Sequence, residues 1–378
     1  MRRIKILHFI SNGARSHYFR AIADETDKAR FDVTVGSLSA AGLLHDEMRE
    51  RGFGTFALDA ARRADFPRAT LELTARLRRE RFDIVQVHLF EASLVGLTAA
   101  FATRVPLTIF TGHHSVELLT YEHKPHLLLA DQLCTRLLAD YIMSPSDETK
   151  ALFVEREGVR ADKIAVIGYP LDVSLWSPSE DARRRVRQEL GVPERAPVFG
   201  ACARLFRLKN FDEMIGAFAR YASVEKEGLL VIVGDGPDRA HLERLAQRLG
   251  VGERVRFAGH RKDIADVFSA IDVFVHASRV ESCCQVLIEA GLVGKPILST
   301  PVPPTSVLVT PGENGWIVPV GDEPAMADAM QMAFARRSEW PAMGAEVQRR
   351  ARGYSSKTIV PRMEQQSLEW LAARGVRA

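Results

Sequence analysis

Cysteine is scarce in this chain and poorly spaced for chemistry. Four occur in 378 residues, Cys134, Cys202, Cys283 and Cys284. With no CxxC pair and no Cys/His zinc spacing, neither a metal site nor a disulfide framework is indicated, and the usage suits a reducing cytosol. Long apolar runs are also missing. Nothing approaches the roughly 20 consecutive apolar residues of a membrane-spanning helix. The opening MRRIKILHFISNGARSH is interrupted at Ser11-Asn12-Gly13 and reads as a first buried strand, not a signal peptide. Charge of one sign is lacking too: a net charge of +3 is too small to argue for nucleic acid. The arginines are scattered, as in DARRRVRQEL, and read as solvated helix faces or as a patch facing anionic lipid or phosphate. Both common nucleotide loops fail. No GxxxxGK[ST] occurs, and VIVGDGPDRA supplies Gly234 and Gly236 but puts Arg239 where a dinucleotide loop needs a small third residue. The two glycines then read as a strand-to-helix turn.

What is present is alternation. Length fits two domains, and 46% hydrophobic with 26% charged residues fits soluble domains with real cores. Apolar runs at Ile4–Ile10, Phe31–Val35, Ile84–Val87, Leu107–Thr111, Tyr141–Met143 and Ile164–Ile167 alternate with helical patterns such as Ala69–Arg81 and Ala92–Thr103. The series restarts with Pro197–Cys202, Gly228–Val233, Val255–Phe257, Val273–Val275, Pro296–Ser299 and Gly315–Val318. Such alternation predicts two α/β, doubly wound, Rossmann-like domains with a cleft between them. Their boundary falls at the start of Asp172–Ala196, giving residues 1–171 and 172–357, with a C-terminal amphipathic helix over 358–378 packing back on the first domain. In such sheets ligands bind beyond the carboxyl ends of strands.

One such end is SRVESCCQVLIEAGL, Ser278–Leu292. Ser282 and Gln285 form an S-x-x-Q capping box, which predicts a helix starting at Cys283. The amides of Cys283, Cys284 and Gln285 would then open a phosphate site. Glu281 lies in the loop, and Glu289 lies over one turn inside the helix among apolar neighbours. A semi-buried acid needs donors: sugar or ribose hydroxyls, or an arginine in the core.

This stretch resembles the E-x7-E segment of retaining glycosyltransferases of family 4, and an ordered series of further segments extends the resemblance over nearly the whole chain. ISNGARSHYF, FDIVQVHLFEASLVGLTAA, TIFTGHHS, FGACARLFRLKNFDEMIGAF, VIVGDGPDRAHLE and PGENGWIVPVGD are among them. The resemblance implies the GT-B fold, with the first domain on the acceptor side and the second holding a nucleotide sugar. It implies that Arg204 and Lys209 hold the donor diphosphate, Glu289 the ribose and Glu281 the transferred sugar. Ser282, Cys283 and Cys284 match the helix-start donor segment, and Gly13 a loop that approaches the donor phosphate. His113 matches a histidine near the transferred sugar, with His114 beside it. His88 matches another family histidine or serves a strand-end hydrogen bond. Lys209 is otherwise a surface charge. Cys283 and Cys284 replace the usual Phe-Gly, Asn12 and Arg15 depart from the usual first loop, and STPVPPTSVLV replaces a Gly-rich turn.

The expected function is a metal-independent, retaining transferase of polysaccharide biosynthesis. It takes its sugar from a nucleotide-diphosphate sugar, a UDP-sugar, and gives it to a glycan, lipid-linked or small-molecule acceptor. No cofactor and no nucleic acid are expected. The expected location is cytoplasmic, with any membrane contact peripheral, at the inner face, around Leu127–Leu138. The alternatives are a sugar-nucleotide epimerase or hydrolase of similar fold, and a non-catalytic sugar-nucleotide-binding protein.

Overall fold

The computed structural model describes residues 2–112 and 125–376. The chain forms two compact units, one of Met1–Asp172 with Tyr354–Ala378, the other of Val173–Gly353.

The first unit is built on seven parallel strands: β1 (Ile4–Ile10), β2 (Phe31–Ser37), β3 (Gly54–Ala57), β4 (Ile84–His88), β5 (Leu107–Thr111), β6 (Tyr141–Ser144) and β7 (Ile164–Val166). Their spatial order is β3-β2-β1-β4-β5-β6-β7. Every residue of β4 and β5 is buried, as helices on both faces of a parallel sheet require. Strand β3 escapes the apolar pattern because its four residues GTFA bury only Phe56, as befits an edge. The C-terminal helix Ser356–Ala373 belongs to this unit. Glu364 accepts from the Asp27 amide at 3.0 Å, and Trp370 stacks on Tyr141 with centroids 4.6 Å apart.

The second unit carries six parallel strands: β8 (Val198–Cys202), β9 (Leu229–Val233), β10 (Val255–Gly259), β11 (Val273–His276), β12 (Ile297–Ser299) and β13 (Gly315–Ile317). Their order is β10-β9-β8-β11-β12-β13. Its core gathers Phe199, Leu230 and Ile232 from the sheet with Phe218, Tyr221, Met326 and Met330 from helices.

One arginine of DARRRVRQEL departs from the solvated-face reading. Arg187 is fully buried. Its Nη2 pairs with Asp272 at 2.8 Å, and its other donors reach the carbonyls of Ala270, Pro193, Glu194 and Ala196. Asp272 also accepts from the Val198 amide at 2.8 Å. A buried charge persists only when paired and fully hydrogen-bonded, and this one locks the starts of β8 and β11 side by side.

Both sheets reverse their order at one place, between β1 and β4 in the first unit and between β8 and β11 in the second. At such a switch the loops leaving adjacent strands diverge to opposite faces and open a crevice.

Candidate functional site

The loop leaving β8 carries Arg204 and Lys209. It is laced to the loop leaving β9: the Leu205 amide donates to Asp235 at 2.9 Å and the Asp238 amide to Leu205 at 3.1 Å. The approach is so close that a Cβ on Gly234 would lie 1.9 Å from the Ala203 carbonyl oxygen, and one on Gly236 2.2 Å from that of Leu205. Gly234 also sits at φ +129°, where a side chain is strained. These glycines form a turn, as the sequence reading has it, and the turn buttresses the loop that holds the two cations.

A one-turn helix, Arg207–Lys209, brings Lys209 inward, and Asn210 follows in the left-handed region. The β11 loop hooks onto this turn. The Arg279 amide donates to the Leu208 carbonyl at 2.9 Å, and its guanidinium to Asn210 Oδ1 at 3.0 Å. This clamp delivers Glu281 to Lys209. The two side chains form an ion pair while keeping only 12% and 19% of their surface exposed. His276, the last residue of β11, places Nε2 3.4 Å from the same carboxylate oxygen. Burial alone would push the Glu281 carboxyl up. The hydrogen bond from His276 and the Lys209 ammonium outweigh it and hold the carboxyl at about 2. Arg204 is exposed, and no acid pairs with it among the described residues. Its guanidinium and the Lys209 ammonium each lie 5.8 Å from the Phe206 ring centroid.

Glu289 has no hydrogen bond or ion pair among the described residues, so the core-arginine alternative finds no partner. It is half-buried, and burial raises its carboxyl to about 7. Burial also pushes up the Cys202 thiol at the end of β8, with the Glu289 charge adding to the effect. That coupling places Glu289 at the same switch point as Lys209 and Glu281.

The helix start differs from the expected one. The helix is Gln285–Leu292, and Cys284, not Ser282, holds the cap position without a side-chain cap bond. The Cys284 amide donates to the Pro303 carbonyl at 2.7 Å, so it is not available to a phosphate, and helical bonding begins only after it. Ser282 is buried and Cys283 half-buried. The amides that open the helix are those of Gln285 and Val286. Neither has an acceptor among the described residues.

Arg204, Lys209, Glu281 and Glu289 thus gather in the second unit. Gly13 belongs to the first, in the loop after β1. Its lack of a side chain serves loop packing, since a Cβ would lie 2.9 Å from the Gly42 nitrogen and 3.0 Å from the Ala40 oxygen. His88, at the end of β4, is buried with His8, Nε2 to Nδ1 at 3.0 Å. Burial lowers His8 to about 4 and keeps it neutral near pH 7. His113 and His114 lie outside the described residues. Sequence reasoning missed His276; its one signal was a histidine closing an apolar strand.

The sequence profile of "Glycosyltransferase Family 4" matches residues 16–175, and that of "Glycosyl transferases group 1" matches residues 182–350. The chain belongs to the family 4 glycosyltransferases. A lipopolysaccharide core biosynthesis glycosyltransferase, LpsE of Rhizobium meliloti, is 34% identical over 181 residues, 47% of this chain and 52% of that protein. The chain thus matches about half the length of that relative. A D-inositol 3-phosphate glycosyltransferase of Corynebacterium efficiens is 28% identical over 309 residues, 77% of this chain and 72% of that one. Among solved structures, Anabaena Alr3699/HepE with UDP superposes with a TM-score of 0.82 at 22% identity, covering 96% of this chain and 99% of that one. The family 4 chain described here has the GT-B fold of two Rossmann-like α/β domains.

The isolated carboxyl has a measurable consequence. Glu289 has an ordinary value of 4.5 and about 7 in the folded protein. The folded state therefore holds a proton that the unfolded state has lost between those values. The associated stability is complete below about pH 4.5 and is lost as pH rises through about 7. Thermal melts of the ligand-free protein should show Glu289→Gln matching wild type in acid and melting several degrees higher above neutrality. A Gln variant that melts lower at every pH would mean that Glu289 has a structural partner.

Proposed function

We propose that this glycosyltransferase takes its sugar from a nucleoside-diphosphate donor, a UDP-sugar, and transfers it with retention at the anomeric carbon. The observation that carries this reading is the Lys209–Glu281 ion pair at the β8/β11 switch, flanked by the exposed Arg204 and the unpartnered Glu289. A sugar diphosphate presents phosphate oxygens, sugar hydroxyls and a ribose diol. Lys209 and Arg204 suit the first, Glu281 the second and Glu289 the third. The amides of Gln285 and Val286 add donors for phosphate. HepE, solved with UDP and with UDP-glucose, supports the choice of donor.

In the transfer, the bond from the anomeric carbon to the phosphate oxygen breaks and its electron pair stays on the leaving diphosphate. Fixed cations stabilise that charge, each such group contributing roughly 3 kcal/mol to the transition state. The acceptor hydroxyl attacks the same face of an oxocarbenium-like sugar and gives its proton to the departing phosphate. His113 lies at the sugar and acceptor in this reading. Side chains carry the charge, so the reaction has no requirement for a metal ion. The relatives named above act in lipopolysaccharide core synthesis and on D-inositol 3-phosphate. They support a hydroxyl acceptor on a glycan, a lipid-linked sugar or a small polyol.

Membrane contact is peripheral in this reading. Among the described residues no helix is long and apolar enough to cross a membrane. Leu129, Leu133 and Leu137 stand exposed at intervals of four on the helix Pro125–Leu138, and Phe101 is exposed on the helix Phe90–Thr103. Exposed Arg136 and Arg104 lie on the first helix and at the end of the second. Apolar residues with arginines suit an anionic lipid surface. The protein should sediment with anionic liposomes and lose that binding on Leu129→Ser with Leu133→Ser. Equal partition into neutral and anionic vesicles would exclude the contact.

Calorimetric titration with UDP, beside a transfer assay, tests the site. Glu289→Gln should weaken UDP about tenfold or more, the scale of a hydrogen bond to a charged group. Glu281→Gln should leave UDP binding close to wild type and reduce transfer. Lys209→Ala should lower kcat about a hundredfold. Wild-type turnover in Lys209→Ala, or equal UDP losses in both glutamate variants, would refute the assignment.

A further inference from the structure

The corner that holds Glu281 contains a second chemistry. Cys284 Sγ lies 3.2 Å from His276 Nε2, and that nitrogen lies 3.4 Å from Glu281 Oε1. The three ligand atoms all fall within 4.8 Å of one another. Zinc binds imidazole nitrogen and carboxylate oxygen at about 2.0–2.2 Å and thiolate sulfur at about 2.3 Å in a tetrahedron. The edges of that tetrahedron are then about 3.4 Å for N to O and about 3.6 Å for N to S. The N to O and N to S distances here are within a few tenths of an ångström of those values. His276 and Cys284 are buried, and Glu281 nearly so. The strand end of β11 and the Cys284 amide bond to Pro303 fix two of the three ligands. Imidazole, thiolate and carboxylate together favour zinc over magnesium or calcium, which want oxygen alone.

We propose that His276, Glu281 and Cys284 form a site for a thiophilic divalent cation of the zinc class, and that its occupancy and the Lys209–Glu281 ion pair exclude each other. His276 Nε2 gives its lone pair, with the ring proton on Nδ1. The carboxylate turns an oxygen from the ammonium to the metal. The Cys284 thiol loses its proton to solvent and binds as thiolate, so one proton is released for each ion bound and nothing is oxidised or reduced. The fourth position remains open to water, as in three-ligand zinc sites. A cation here repels the Lys209 ammonium and takes the Glu281 oxygen that holds it. Occupancy therefore disables the donor corner, a consequence that rests on the function proposed above. The binding itself does not.

Cobalt(II) is the probe, because a thiolate ligand gives it a near-ultraviolet charge-transfer band. Titration of the ligand-free full chain should show one equivalent bound with that band, and zinc should displace it. The band should persist in Cys283→Ser and vanish in Cys284→Ser. Lys209→Ala should tighten cobalt binding by about tenfold or more, since it removes a positive charge beside the ion. That gain cannot arise from misfolding. A band that survives Cys284→Ser, or weaker binding in Lys209→Ala, would overturn the site. Transfer from a UDP-sugar, assayed with and without cobalt, separates the two claims. Loss of transfer at cobalt saturation, reversed by a chelator, supports a disabled donor corner. Full transfer with the band intact refutes it. Absence of transfer by the metal-free protein refutes the donor reading and leaves the cobalt titration to judge the site.

Discussion

An ammonium and a carboxylate largely removed from water must satisfy each other, and the second unit of this protein is arranged so that Lys209 and Glu281 do. Breaking a buried pair by removing one partner costs about 3–5 kcal/mol, because the survivor is left uncompensated. The pair therefore constrains both loops that carry it. Glu281 depends on the Arg279 clamp, Lys209 on the turn Arg207–Lys209, and that turn on the glycines of the β9 loop. Farther back, Arg187 and Asp272 hold the opposite ends of β8 and β11 together. The strand pair is pinned at one end by the Arg187–Asp272 pair and finished at the other by Lys209 and Glu281.

The pair also frames how a donor would be received. Each charge already has a counterpart in the free protein, so a ligand must replace both at once. Diphosphate oxygens can take Lys209, and sugar hydroxyls can take Glu281. A ligand carrying only one of these groups leaves the other charge short of a partner. Glu289 differs in kind. Among the described residues it has no partner to surrender, and its carboxyl near 7 means that ligand donors would draw it into the charged form. One acid is held ionised by its neighbours and burial favours the neutral form of the other, so two glutamates eight residues apart sit in opposite electrostatic environments.

Much of this was legible beforehand. The apolar runs located twelve of the thirteen strands among the described residues, because buried parallel strands are near-continuously apolar; β3 was missed because an edge strand of four residues has too little pattern to read. The loop position after β11 pointed to Glu281, since side chains there emerge at the carboxyl edge, whereas Arg204 and Lys209 were named by the family resemblance alone. The helix start was misread. Ser282 and Gln285 satisfy a capping box locally, but the Cys284 amide bonds to Pro303, nineteen residues on, and no local motif encodes that contact. His276 and Cys284 likewise approach through the return of the chain from strand to helix, not through a metal-binding spacing. The interior position of Arg187 in a run of arginines was hidden for the same reason: its partner Asp272, which it shares with Arg183, and the carbonyl of Ala270 lie more than eighty residues along the chain.

A crystal structure of the protein with an intact UDP-sugar tests the central claim most directly. The account predicts that the Lys209–Glu281 contact opens, with Lys209 Nζ on a diphosphate oxygen, Glu281 on a sugar hydroxyl and Glu289 on the ribose. A bound donor that leaves the Lys209–Glu281 pair closed and touches neither residue would contradict it.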